Sequence, residues 1–251
     1  VAQRSVKEAI EIEEMENTMT QVTREAYQQA VAQVKPGNYE YQVAGALKGA
    51  VLSRSCRMAY PVICSVRGET LHNIHYGNEL KKGQLLLIDA GAEAASRYAT
   101  DITRTYPVGG KFSAQQKSVY DIVLKAQLDA IAAIKPGKPF AEVHQVAATV
   151  IANGLKDMGL MKGDMAEAVR SGAHALFFPH GIGHMIGLDV HDMEDVGEDY
   201  VGYDKDFRRS EQFGTAYLRL ARKLQEGFTV TVEPGIYFIP QLIDKWRNEG
   251  R

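Results

Sequence analysis

Gly83-Gln84-Leu85-Leu86-Leu87-Ile88-Asp89-Ala90-Gly91 and Gly227-Phe228-Thr229-Val230-Thr231-Val232-Glu233-Pro234-Gly235 share one pattern. Each reads glycine, a five-residue strand-forming run, one carboxylate, any residue, glycine. The continuous apolar run before Asp89 suits a strand covered on both faces, and the match makes Glu233 the counterpart of Asp89. Upstream, Ala32-Gln33-Val34-Lys35-Pro36-Gly37 returns as Ala132-Ala133-Ile134-Lys135-Pro136-Gly137, one hundred residues on. Val43 and Val51 match Val143 and Ile151 at the same offset. Two helix–helix–strand units, each ending its strand on an acid, predict a duplicated α+β domain with pseudo-twofold symmetry. Two copies are too few for a solenoid.

The elements follow from period and punctuation. Apolar residues at three- to five-residue steps predict a helix over 6–34, stopped by Pro36-Gly37. A second helix is expected over 39–54, a strand over 60–66, and a return strand over 98–108 after the run that ends at Asp89. Ser113-Ala114-Gln115-Gln116 reads as a capping box opening a helix to Ile134, and a further helix is expected over 140–158. The acidic stretch 192–206 reads as a solvated loop, and 217–223 as a short basic surface helix.

Composition bounds the function. The chain has 251 residues, 45% hydrophobic and 24% charged, enough for one large core or two smaller ones and too apolar for a disordered chain. No apolar run approaches the roughly 20 residues of a membrane helix, so no membrane association is expected. The balance of 29 basic and 31 acidic residues carries no nucleic-acid footprint. Cys56 and Cys64 are too few for a disulfide framework; a reducing cytoplasm is the expected location, and both thiols read as inert packing. The chain starts on Val1 with no signal-peptide pattern and ends as abruptly, as a fragment of something longer would.

Three groups could do chemistry. Asp89 ends an apolar run, which is costly unless the carboxylate is paired or hydrogen-bonded. A hairpin centred on Ala95 would place Asp89 opposite Asp101 and Glu93 opposite Arg97. Two facing carboxylates repel, and a metal ion between them is the simplest relief. Second, three of the seven histidines, His180, His184 and His191, fall within twelve residues of a glycine-rich run. Gly181 and Gly183 argue against a helix there, and the H-E-x-x-H protease pattern is absent. Third, Glu233 ends its own strand. Carboxylates with imidazole and no thiolate make a hard site, suited to manganese, cobalt, iron or zinc. Phosphate-loop, dinucleotide and nucleophile-elbow motifs are missing.

With these residues in hand, the sequence resembles the pita-bread metallopeptidases, in particular their Xaa-Pro dipeptidase and aminopeptidase P branch. The resemblance rests on Ile74-His75-Tyr76-Gly77-Asn78, Asp89-Ala90-Gly91, Tyr98-Ala99-Thr100-Asp101-Ile102-Thr103-Arg104-Thr105, His180-Gly181-Ile182-Gly183-His184, Gly187-Leu188-Asp189-Val190-His191-Asp192 and Thr231-Val232-Glu233-Pro234-Gly235-Ile236-Tyr237. His180, four residues before His184, favours the proline peptidases over methionine aminopeptidases. The resemblance implies that Asp89, Asp101, His184 and Glu233 ligate two divalent ions, manganese first among them, with Asp101 bridging. It implies that His75, His180 and His191 contact substrate or steady the tetrahedral intermediate, and that Glu233 also serves as proton acceptor. The implied substrate is a peptide with proline in second position, and a homodimer is the assembly the resemblance suggests.

The family pattern also has a fifth ligand, a glutamate on a later strand with an arginine two residues before it. Nothing in 241–251 resembles that segment, and the family's N-terminal domain has no counterpart either. The expectation is therefore a catalytic domain over residues 1–251, cut one strand short, that binds metal weakly or at one site and is impaired. A non-catalytic relative serving as a binding module is the competing reading, and another hydrolase on the same fold is a third.

Overall fold

Lys35-Pro36-Gly37 and Lys135-Pro136-Gly137 each close a helix and deliver the chain to the same kind of corner. After the first, Gly37 N–H donates to Leu80 O (2.9 Å) and Glu40 N–H to Asn78 O (3.0 Å). After the second, Gly137 N–H donates to Leu224 O (2.8 Å) and Phe140 N–H to Arg222 O (3.0 Å). The duplication read from the sequence is thus present in the backbone bonding. The computed structural model describes residues 1–250. It divides into one unit of Lys7–Ser113 with Ile186–Asp192, and another of Val1–Val6, Ala114–Met185 and the chain from Met193 onward.

After a single helical turn α1 (Ala2–Ser5), the first unit begins with α2 (Ala9–Asn17), a π-helical stretch Thr18–Thr23 and α3 (Arg24–Val31), which follow one another without a break. The helix expected from residue 6 starts later for a local reason. Glu8 and Glu11 form a reciprocal capping box that fixes the start, and Lys7 is buried against the Asp192 carboxylate at 2.6 Å. The π stretch turns Thr23 inward, where its hydroxyl meets that of Thr100 at 2.6 Å. Next come α4 (Glu40–Leu52), β1 (Arg57–Met58), β2 (Ile63–Ser65), β3 (Leu85–Ala90), β4 (Ala92–Glu93) and β5 (Ile102–Pro107). The antiparallel sheet runs β2-β3-β5, and β1 pairs with β4. Leu86 and Ile88 of β3 lock into Ala26, Ala30, Val43 and Leu47 from α3 and α4. On the other face of β3, Leu85 and Leu87 are only half-buried.

The hairpin register differs from the expected one. Asp89 faces Thr103, Glu93 bridges Ala99, and the turn is centred on Ser96. Arg97 takes the left-handed conformation (φ 75°) that closes a three-residue loop, which moves the centre by one residue. The Glu93–Arg97 attraction survives as a side-chain contact at 3.2 Å.

In the second unit α5 (Ala114–Ala133), through Ala126 and Ala130, and α6 (Phe140–Asp157), through Phe140, Val143, Ala147 and Ile151, share a core with Phe178 and Ile182. Short helices α7 (Met165–Arg170) and α8 (Glu198–Gly202) and a terminal α9 (Pro240–Asn248) complete it. The strand expected over 227–235 is extended chain without a full ladder. Thr231 N–H donates to His184 O (2.9 Å) and Glu233 N–H to Ile182 O (2.8 Å), while Val232 O takes its proton from the Gln127 side chain (2.9 Å). Segment 217–223 is not a surface helix. Leu218, Leu220 and Ala221 are all buried there, and 218–222 forms no regular helix. Nor is the acidic stretch simply solvated: Asp192 is buried with Lys7, and Glu194 is paired with Arg219. No described helix is long and apolar enough to cross a membrane.

Candidate metal centre

In the first unit the sheet brings Asp89 and Asp101 to one phenol. Tyr60 Oη lies 2.5 Å from Asp89 Oδ1 and 2.6 Å from Asp101 Oδ1. The two-residue offset in register, far from separating the carboxylates, lets both reach Tyr60. Burial first, then the two carboxylates, push the Tyr60 phenol well above its usual range, so it stays a donor. A phenol has a single proton to give, so it can donate to only one of the two carboxylates at a time. Two carboxylates brought to one hydroxyl repel each other, and a cation fits at this end of β3. Gly91 allows the arrangement, because a Cβ there would fall 1.7 Å from Thr100 O.

In the second unit, extended pairing sets His184 beside Glu233. His184 is 3% exposed; its Nδ1 sits 2.9 Å from Met185 O and its Nε2 3.4 Å from Glu233 Oε1. A carbonyl only accepts, so Nδ1 carries a proton. Tying one ring nitrogen to the backbone is how proteins orient a metal-binding imidazole. Thr231 Oγ1 accepts from His184 N–H (3.0 Å) and donates to Glu233 Oε1 (3.3 Å), fixing both. Gly183 is required, since a Cβ would meet Thr231 O at 2.2 Å.

His180 is half-buried, its Nδ1 2.8 Å from Gly181 O and its Nε2 3.1 Å from Tyr237 Oη, with Phe178 edge-on at 5.0 Å. His75 and His191 are both exposed residues of the first unit, His75 in the loop after β2 and His191 beside the buried Asp192. Within each unit, then, the structure gathers Asp89 with Asp101, and His184 with Glu233. Sequence reasoning assigned no role to Tyr60, Thr231 or Tyr237. Thr231 and Tyr237 stand two before and four after Glu233, a spacing that extended chain could have suggested. Cys64 is buried and its thiol is pushed up to about 12 by burial, which agrees with an inert packing role.

Comparison with known proteins shows the family of the chain. The model of metallopeptidase family M24 matches residues 15–250. The chain is 36% identical over 251 residues to Xaa-Pro dipeptidase of Homo sapiens, covering 96% of this chain and 49% of that protein. It is 36% identical over 259 residues to a probable Xaa-Pro aminopeptidase of Podospora anserina, covering 98% and 54%. Among solved structures, Escherichia coli aminopeptidase P with the inhibitor Pro-Leu superposes with a TM-score of 0.82 at 34% identity, over 96% of this chain and 50% of that one. The zinc-substituted form of that enzyme, in complex with product, gives 0.81 at the same identity, with the same coverage. The chain spans about half the length of the curated relatives it matches. Its α+β architecture is the pita-bread fold of these neighbours, and the chain belongs to metallopeptidase family M24.

Proposed function

We propose that this chain is the catalytic part of a metal-dependent exopeptidase that hydrolyses the Xaa-Pro bond at the N-terminus of dipeptides or short peptides. The observation that carries the reading is His184, its Nδ1 committed to the backbone and its Nε2 beside Glu233. Relatives named Xaa-Pro dipeptidase and aminopeptidase support the substrate class. Asp89, Asp101, His184 and Glu233 are the side chains that would hold two divalent ions, manganese in first place, with cobalt, zinc and iron as alternatives. Such ions, when bound, bring the pKa of a water near neutrality and polarise the scissile carbonyl.

The chain's own groups supply the rest. Glu233 receives the attacking water's proton, held for that task by the Thr231 hydroxyl. His180 contacts substrate, its ring fixed by Gly181 O and Tyr237 Oη. His75 and His191 are exposed, available to a peptide carbonyl or the developing oxyanion. A cytoplasmic location and a homodimer belong to the same proposal. The test is hydrolysis of Ala-Pro against Ala-Pro-Ala with Mn²⁺, beside the Glu233→Gln variant. Manganese-dependent turnover that Glu233→Gln abolishes supports the reading, and the preferred peptide separates dipeptidase from aminopeptidase. Turnover indifferent to chelator and to Glu233→Gln overturns it.

A further inference from the structure

Glu40 opens α4 with 0% exposure, a carboxylate wholly inside the first unit. Its oxygens accept from Ser65 Oγ (3.1 Å) and Val66 N–H (2.8 Å) on one side. On the other they accept from Asn78 N–H (3.1 Å) and Asn78 Nδ2 (3.0 and 3.1 Å). These donors are the two ends of one loop, 67–77, and His75 lies on it. The bonding continues outward. Ser65 Oγ accepts from Asn73 Nδ2 (3.1 Å), and Asn73 Oδ1 accepts the His75 backbone N–H (3.0 Å). A chain of hydrogen bonds thus runs from the buried carboxylate to the residue that carries the imidazole. Within the loop His72 sits at φ 58°, a left-handed conformation uncommon for a non-glycine residue.

The second half of the molecule shows that the fold itself does not require an acid at this corner. Phe140 stands at the equivalent position, also 0% exposed, and its N–H donates to Arg222 O as that of Glu40 does to Asn78 O. An apolar side chain fills such a corner without the desolvation cost of a carboxylate. We infer that Glu40 is a positioning residue, which through Ser65 and Asn73 clamps the 67–77 loop and presents His75 in one orientation. The inference rests on the substrate-contacting role proposed for His75.

Asn73→Ala cuts the relay at a partly exposed site, and Glu40→Gln cuts it at its source. Hydrogen exchange on this chain should show the His75 amide and its loop exchanging about tenfold faster in Asn73→Ala, with an unchanged melting temperature. Glu40→Gln, where it folds, should loosen the same loop. Unchanged exchange over 67–77 in Asn73→Ala overturns the clamp whether or not Glu40→Gln folds. Where Ala-Pro hydrolysis is measured, Asn73→Ala should lower kcat/KM about tenfold and lower it no further once His75→Ala is present. Multiplying effects overturn action through His75. Full activity of His75→Ala instead contradicts the role proposed for that histidine, while the exchange result still decides the clamp.

Discussion

Tyr60 is the residue on which the first unit's acidic pair turns. Its hydroxyl lies within 2.6 Å of both Asp89 and Asp101. Removing it in Tyr60→Phe leaves the acidic pair, the proposed metal ligands, without a shared orienting donor. Manganese affinity should fall about tenfold or more, the usual cost of losing a partner that orients a metal ligand. A calorimetric titration of both proteins checks it, and equal affinities would count against Tyr60. At this scale the sequence carried the acids and not the phenol. Asp89 and Glu233 stood out because each ends a strand-forming run, whereas Tyr60 read only as the first residue of the strand expected over 60–66 and stands before β2. The Asp89–Asp101 proximity was anticipated with the wrong hairpin centre, because the backbone conformation of Arg97 selects the turn and an arginine does not advertise a left-handed angle.

Helices α5 and α6 meet at Gly154, where an added Cβ would lie 2.6 to 2.8 Å from three side-chain carbons of Ile122. Alanine is worth about 1 kcal/mol over glycine inside a helix; overpacking costs about 1–3 kcal/mol. Gly154→Ala should therefore destabilise the protein, and in an Ile122→Ala background the same change should become stabilising by about 1 kcal/mol. Urea denaturation of the four proteins tests this reversal; an equal effect in both backgrounds contradicts it. Both helices were legible from their period, their capping box and the Lys-Pro-Gly stops. The strand at Glu233 was legible only as extended chain, since Gln127 occupies the carbonyl of Val232 that a neighbouring strand would otherwise use. The burial of Leu218, Leu220 and Ala221 went unread because the charged residues Arg219, Arg222 and Lys223 surround them.

Across the whole molecule, acid stability should depend on a histidine outside the candidate centre. His144 is 3% exposed, lies 5.2 Å from Phe178 and 6.0 Å from His174, and neither ring nitrogen has a hydrogen-bond partner among the described residues. Burial, then the neighbouring His174 and His180, lower its pKa from 6.5 to about 3. The folded state therefore keeps it neutral, while an unfolded chain takes up a proton near 6.5. Its contribution is complete above that value and is lost as pH falls from there toward 3. His144→Phe should flatten the decline of melting temperature in that window; an unchanged slope would show that the imidazole is not responsible.

The duplication, the α+β class and the M24 relationship were all visible in the chain, because a repeated strand ending in an acid is a pattern of sequence. Metal binding is the central claim, and manganese uptake measured by elemental analysis after dialysis tests it most directly. The chain should retain manganese at a stoichiometry of about one or more, and lose it in His184→Ala and in Asp101→Ala while both variants stay folded. A chain that retains none, or variants that retain as much as the parent, would contradict it.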